Sequence, residues 1–357
     1  MANRRLPLAL QRLRDWTAHD QQAWKTACRD GGLFDETGPL AKYPPGRLRI
    51  LEAAYSRWYT YLEWSGASDL SRSACAFLDV RQLKSFVSFL DGYIAPCSVA
   101  TYLADLLIVA RALAPERNFQ DLERIAEYFR RHGRPVREKR LRVVPIRDLF
   151  HLGFKLMEGA GSVDGPLRKV LAYRDRLMIA MLAACPLRRN NFAATKIDNH
   201  LILTEAAFRL AFAKEEVKNR FPLDYPLPTS LSGPIDRYLA EHRPLLLARR
   251  RDASTGTSDK AFWISQTGTP LRPISFWIRT TALTRKHLGQ AINPHLFRDC
   301  AATSIAIELP AQVGIIRPVL GHTNGFTGQR YYNQARTLEA ARAFQGAVDT
   351  LIKGEVG

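Results

Sequence analysis

Apolar side chains recur at helical spacing through the first part of the chain. In "LRILEAAYSRWYTYLEW", Leu48, Leu51, Ala54, Tyr55, Trp58, Leu62 and Trp64 follow a period of about 3.6 residues. "DVRQLKSFVSFLDGY" and "CSVATYLADLLIVARAL" repeat the pattern. Asp79 and Ser98 stand where helix N-caps are expected, because their side-chain oxygens can accept from first-turn amides. The pattern predicts a compact helical domain over residues 47–132, preceded by an N-terminal extension, residues 1–46.

Beyond residue 146 the pattern is mixed. Helical periodicity returns over 147–158, 166–184, 230–250 and 273–288, and again from residue 298. Between these, "HLILTEAAFRLAFAKEEVKNRFPLDYPLP" alternates short β-like runs with turn breakers, which predicts a small antiparallel sheet. "AFWISQTGTPL" reads as a strand entering a Gly-Thr-Pro turn. The predicted fold is therefore mainly α with a small antiparallel β-sheet in a second domain, residues 147–357. A chain of 357 residues accommodates two such domains.

The stretch between the domains is "RRHGRPVREKRLR", residues 130–142, in which seven of thirteen residues are Arg or Lys. Gly133 and Pro135 break any helix there, which sets a basic linker over 133–146. Alone, such a run is a solvated surface or a strap along a phosphate backbone, and composition bears on that choice. The chain carries 52 Lys and Arg against 34 Asp and Glu, a formal charge of +18. A polyanion is the natural partner for that excess, with nucleic acid ahead of a membrane surface. No apolar run approaches 20 residues, and no basic amphipathic helix lacks a globular context. Cys28, Cys75, Cys97, Cys185 and Cys300 are scattered, odd in number and form no CxxC pair. They argue against a disulfide framework and a cysteine zinc site, and for a reducing compartment. The opening "MANRRLPLALQRLRDW" has no sustained apolar core of a signal peptide, so the cytoplasm is expected.

Four stretches of the second domain carry candidate chemistry. They are "CPLRRNNFAATKI" with Arg188 and Arg189, "EEVKNRFPLDYPLP" with Lys218, "NPHLFRDCAATSIA" with His295 and Arg298, and "LGHTNGFTGQRYYN" with His322, Tyr331 and Tyr332. Each alone has an ordinary structural reading: an arginine pair at a helix end, a solvated lysine at a turn, a His–Arg pair on one helical face, a packed tyrosine. Together they suit phosphoryl transfer. Guanidinium forks match the nonbridging oxygens of a phosphodiester, and a tyrosine hydroxyl needs a base or nearby positive charge to become a nucleophile. Lysine or histidine can protonate a leaving sugar oxygen. No carboxylate cluster or metal-ligand spacing competes for the role.

The order Arg, Lys, HxxR, LGH and Tyr resembles the tyrosine recombinase (phage integrase) family across the second domain. The helical domain before the basic linker resembles the family's core-binding domain more loosely. "PLRRNN" matches the first arginine motif at Arg188, and "PHLFRD" matches the H-x-x-R box at His295 and Arg298. "LGHTNGFTGQRYY" matches a histidine, His322, followed nine residues later by the nucleophile, which selects Tyr331 over Tyr332. The family's lysine sits on a β-hairpin eight residues before a proline. Lys218 with Pro226 and Lys214 with Pro222 both fit, and the layout "KNRFPLDYPLP" favours Lys218. The chain departs from the family at Pro186, where a glycine is usual, and at Asn191, where an acid is usual. It also has two glycines, Gly325 and Gly328, between His322 and Tyr331.

The resemblance implies cleavage and rejoining of DNA through a 3′-phosphotyrosyl link, with no metal, ATP or other cofactor. Arg188 and Arg298 would clamp the phosphate, His295 and His322 would bond it or manage protons, Tyr331 would attack, and Lys218 would protonate the 5′-oxygen. The implied partners are double-stranded DNA bearing recombination sites, three further copies of the chain in a tetramer, and accessory recombination proteins. The implied setting is the bacterial nucleoid. In that context Arg134, Arg137, Lys139, Arg140 and Arg142 become the expected phosphate contacts of the linker. Leu338, Ala341, Phe344, Val348 and Leu351 form a helical stripe that packs on its own domain or docks on a neighbouring protomer. The alternatives are an inactive DNA-binding protein of the same fold and an enzyme of the type IB topoisomerase or resolvase kind.

Overall fold

The computed structural model describes residues 10–66, 72–134, 142–205, 207–251, 260–316, 320 and 345. The chain divides into two compact units, Met1–Glu138 and Lys139–Gly357.

The first unit contains α1 (Ala18–Ala27), α2 (Pro45–Ser65), α3 (Val80–Asp91), α4 (Pro96–Leu113) and α5 (Gln120–His132). Leu51, Ala54, Tyr55, Trp58 and Leu62 of the α2 stripe are buried, while Trp64 leaves it and is 59% exposed. Asp79 caps α3, its side chain accepting from the Gln82 amide at 2.9 Å. Ser98 is not a cap. Helix α4 begins at Pro96, because proline supplies the first helical φ and has no amide to satisfy, and Ser98 falls within the first turn. Residues 10–46, expected as an extension, instead build part of this core with Trp16, Trp24, Ala27 and Leu40. Asp20 of α1 is buried and accepts from the Tyr55 hydroxyl at 2.8 Å and the Ala74 amide at 3.0 Å. The Trp16 indole N–H donates to Ser56 at 3.1 Å. Among the described residues α4 is the one helix long and apolar enough to cross a membrane, against the expectation of no such run. It packs against α2 and α5, and its buried Asp105 pairs with Arg47 at 2.5 Å.

The second unit is built on α6 (Ile146–Glu158) and α7 (Pro166–Ala184). Leu177 through Leu182 of α7 are fully buried, so this stretch of the helix is apolar all round and forms the centre of the core. Gly153 of α6 permits a close crossing: a Cβ there would lie 2.6 Å from the Ala180 backbone nitrogen. After the short α8 (Arg189–Ala193), β1 (Leu201–Leu203), β2 (Phe208–Phe212) and β3 (Leu223–Pro226) form the antiparallel sheet, in that order. Leu201 pairs with Leu210, and Leu210 with Tyr225. Phe208, Leu210 and Phe212 alternate into the core, as period 2 requires.

The stretch expected as one helix over 230–250 is divided into α9 (Ser232–Arg237), a wider π turn at Tyr238–His242, and α10 (Arg243–Leu247). Pro244 accounts for the break, since its ring and missing amide cannot continue the ladder. "AFWISQTGTPL" is not a strand. It makes single bridges at Ala261 and Ile264 around a turn with Gly268 at φ +80°. A Cβ at Gly268 would strike the Arg250 backbone at 2.6 Å. Helices α11 (Pro273–Leu288) and α12 (Pro294–Glu308) complete the unit. Helix α12 starts four residues ahead of the predicted pattern, because Asn293 caps it by accepting from the amides of His295 and Leu296 at 3.0 Å. The stripe from Leu338 to Leu351 lies outside the described residues.

Candidate active site

Four of the six residues singled out for chemistry meet in one cleft of about 820 Å³ in the second unit: Arg188, Lys218, His295 and Arg298. His322 and Tyr331, with its neighbour Tyr332, lie outside the described residues.

Three elements position the cleft residues, and α12 carries both His295 and Arg298. Arg188 caps α8, whose Phe192 is buried against Trp263 and Phe276 at centroid distances of 5.2 Å each. That aromatic anchor fixes the start of α8 and hence the arginine beside it. His295 lies in the first turn of α12, next to the capping Asn293. The helix N-terminus concentrates partial positive charge there, which favours an anion. Lys218 projects from the loop between β2 and β3 and is exposed. Lys214 does not line the cleft; it is exposed and sits 3.8 Å from Glu215.

Arg298 is the buried centre of the arrangement, 5% exposed. Its Nη1 donates to the Pro186 carbonyl at 2.6 Å, and its Nη2 donates to the Leu320 carbonyl. One guanidinium thereby ties the first arginine motif to the segment just before His322. Burial, reinforced by the Arg188 cation, lowers its pKa to about 10, so it remains a cation at neutral pH. Its hydrogen bonds among the described residues go to carbonyl oxygens, with the Asp299 carboxylate opposing its charge from nearby, and a bound phosphate would add a further counter-charge. Burial pushes the Tyr225 hydroxyl up, against the pull of the nearby Arg298 and Arg188 cations.

The cleft also contains residues beyond those four. Arg189, Arg220 and Trp277 line it, and Asn219 accepts from Arg188 Nη1 at 2.9 Å. Arg189 was legible as the neighbour of Arg188, whereas nothing in the local pattern marks Arg220 or Trp277. Arg220 takes the left-handed backbone conformation at φ +54°, a strained geometry that depends on the folded loop. Asn191, where the family usually has an acid, is buried and donates to the Glu216 carbonyl at 3.0 Å. Of the linker residues, Arg134 is exposed, and Arg137, Lys139 and Arg140 lie outside the described residues. Arg142 turns inward to donate to the Ala291 carbonyl, so its guanidinium serves the second unit's own structure as well as any strap.

Fold and cleft together define a cleft rich in arginine on a mainly helical scaffold. Residues 161–337 match the phage integrase family model, and the chain belongs to that family, the tyrosine recombinases. It is 31% identical over 196 residues to the tyrosine recombinase XerD of Pseudomonas aeruginosa, covering 53% of this chain and 58% of the relative. It is 25% identical over 177 residues to the tyrosine recombinase XerC of Pseudomonas fluorescens, covering 50% of this chain and 52% of that one. The chain thus matches less than two thirds of the length of these relatives. In fold it is similar to the XerH site-specific recombinase in a post-cleavage complex with a palindromic difH substrate, with a TM-score of 0.55 at 13% identity over 84% of this chain and 79% of that one.

Proposed function

We propose that the protein is a site-specific DNA recombinase that cleaves and rejoins strands through a 3′-phosphotyrosyl intermediate. The observation that carries this is the convergence of Arg188, Lys218, His295 and Arg298 on one cleft from three separate segments. Arg188 and Arg298 clamp the scissile phosphate and stabilise the charge it gains in the transition state. His295, at the α12 N-terminus, bonds a nonbridging oxygen, and His322 serves the same phosphate. Tyr331 gives its hydroxyl proton to a histidine base, His295 or His322, and forms a bond to phosphorus as the P–O5′ bond breaks. Lys218 gives its proton to the departing 5′-oxygen and is left a neutral amine. A 5′-hydroxyl of a partner strand reverses the step, so the bond energy is retained and no ATP or metal is required. Exchange between two duplexes calls for four protomers. Arg134, Arg137, Lys139 and Arg140 hold the DNA backbone through sequence-independent phosphate contacts. The setting is a bacterial nucleoid.

Covalent capture tests this reading and needs no defined target sequence. Fragmented DNA of the source organism is incubated with the protein, and protein-linked fragments are recovered after denaturation. We expect an enriched sequence, loss of the complex in Tyr331→Phe and retention in Tyr332→Phe. Lys214→Ala should cleave at the wild-type rate, whereas Lys218→Ala should be slower by about 10²–10⁴-fold. No covalent complex from any fragment would leave an inactive DNA-binding protein. Relaxation of supercoiled DNA without an enriched site would point to topoisomerase-like chemistry.

A further inference from the structure

Lys218 is exposed on the loop of residues 213–222, and a long side chain there can deliver a proton to one atom only if its backbone is held. The residues on either side of it are held. The Glu216 carboxylate accepts from the Ala213 amide at 3.0 Å and meets His200 Nε2 at 2.9 Å. The Glu216 carbonyl accepts from the Asn191 side chain at 3.0 Å. Val217 is buried, and Asn219 accepts from Arg188 at 2.9 Å.

His200 is itself fixed. It is 5% exposed, and its ring lies nearly parallel to Phe212 at 4.5 Å. Its backbone bonds to Lys196 and Ala211 at 2.9 and 2.8 Å. Its Nδ1 accepts from the Lys196 amide at 3.0 Å, so the neutral ring carries its proton on Nε2 and donates it to Glu216. That bond holds the Glu216 carboxyl below the usual range. Asn191 stands where the family usually has an acid. An amide can donate to the Glu216 carbonyl, while a carboxylate would face it with no proton to give.

We propose that His200 and Asn191 are positioning residues that latch the 213–222 loop so that Lys218 faces the scissile phosphate held by Arg188. The proposal rests on the reading of Lys218 as the proton donor. The latch reaches α8 through Asn191 and Arg188, and β1 through His200, so donor and clamp are set by one network. Misplacement of a reacting group by about 1 Å costs on the order of 10²-fold in rate.

The test uses the full chain and the captured duplex, with the 5′-bridging oxygen of the scissile phosphate left as oxygen or replaced by sulfur. A thiolate departs without a proton, so sulfur removes the need for the donor. On oxygen DNA, His200→Gln and Asn191→Asp should cleave about 10²-fold more slowly than wild type. On sulfur DNA both should approach the wild-type rate, as should Lys218→Ala, while Arg298→Lys stays slow. Rescue of Lys218→Ala without rescue of His200→Gln and Asn191→Asp overturns the latch alone. Failure to rescue Lys218→Ala overturns the donor reading and the latch with it. Asn191→Asp keeps the shape of the original side chain, so it serves as the readout should His200→Gln fail to fold.

Discussion

Arg174 and Arg298 are both buried in the second unit, and their surroundings differ. Arg174 of α7 is fully buried and donates to the Asp175 carboxylate at 2.9 and 2.6 Å and to the Ile264 carbonyl at 2.5 Å. Arg279 also reaches Asp175, at 2.7 Å. Arg298 bonds only carbonyl oxygens among the described residues, and it shares its surroundings with the cation of Arg188. The first guanidinium is neutralised where it lies and serves the fold. The second is oriented by carbonyl oxygens in a cleft, with the Asp299 carboxylate contributing opposing charge from nearby. Asp20 in the first unit shows a third solution: a buried acid satisfied by the donors of Tyr55 and Ala74.

Mutation separates these cases. The largest effect is expected at Arg174→Ala, which leaves Asp175 buried with one partner fewer and lowers stability by about 3–5 kcal/mol. Urea unfolding would measure it, and DNA affinity well below the transition should not change. Arg298→Met reverses the pattern. Cleavage should fall by about 10²–10³-fold, equivalent to about 3–4 kcal/mol, with a far smaller loss of stability, because an apolar chain fills the same space without burying a charge. Equal stability losses at the two positions would erase the distinction between them. Gly153→Ala should cost about 1–3 kcal/mol, since α6 and α7 would have to separate to admit the methyl group. The smallest effect is expected at Tyr55→Phe, which withdraws one donor from Asp20 at about 1 kcal/mol, read as a shift in the urea midpoint at constant slope.

The parts legible in the sequence are those set by short-range pattern. Helices α6, α7 and α11 lie close to where periodicity placed them, and the short strands sit within the predicted stretch. Arg188, Lys218, His295 and Arg298 were legible because their motifs keep fixed spacing. The rest depends on partners distant in the chain. Asn191 reads as a departure from a motif until the Glu216 carbonyl stands opposite it, 25 positions away. His200 reads as a lone histidine beside a strand until its two ring nitrogens are assigned. Residues 10–46 fall outside the predicted helical domain because the short α1 carries a weak stripe, and the bonds that fold it in come from Tyr55, Ser56 and Ala74.

The bonds from Arg298 also bear on how the protein is made. The guanidinium must wait for Pro186, 112 positions earlier, and for Leu320, 22 positions later. While a ribosome still encloses residue 320, the second of these bonds cannot form, whatever the upstream helices have done. The surroundings of Arg298 are therefore completed only after residue 320 emerges, and Tyr331 follows Leu320 eleven positions behind. A chain stalled before residue 320 would hold Arg298 with only one of its two carbonyl partners.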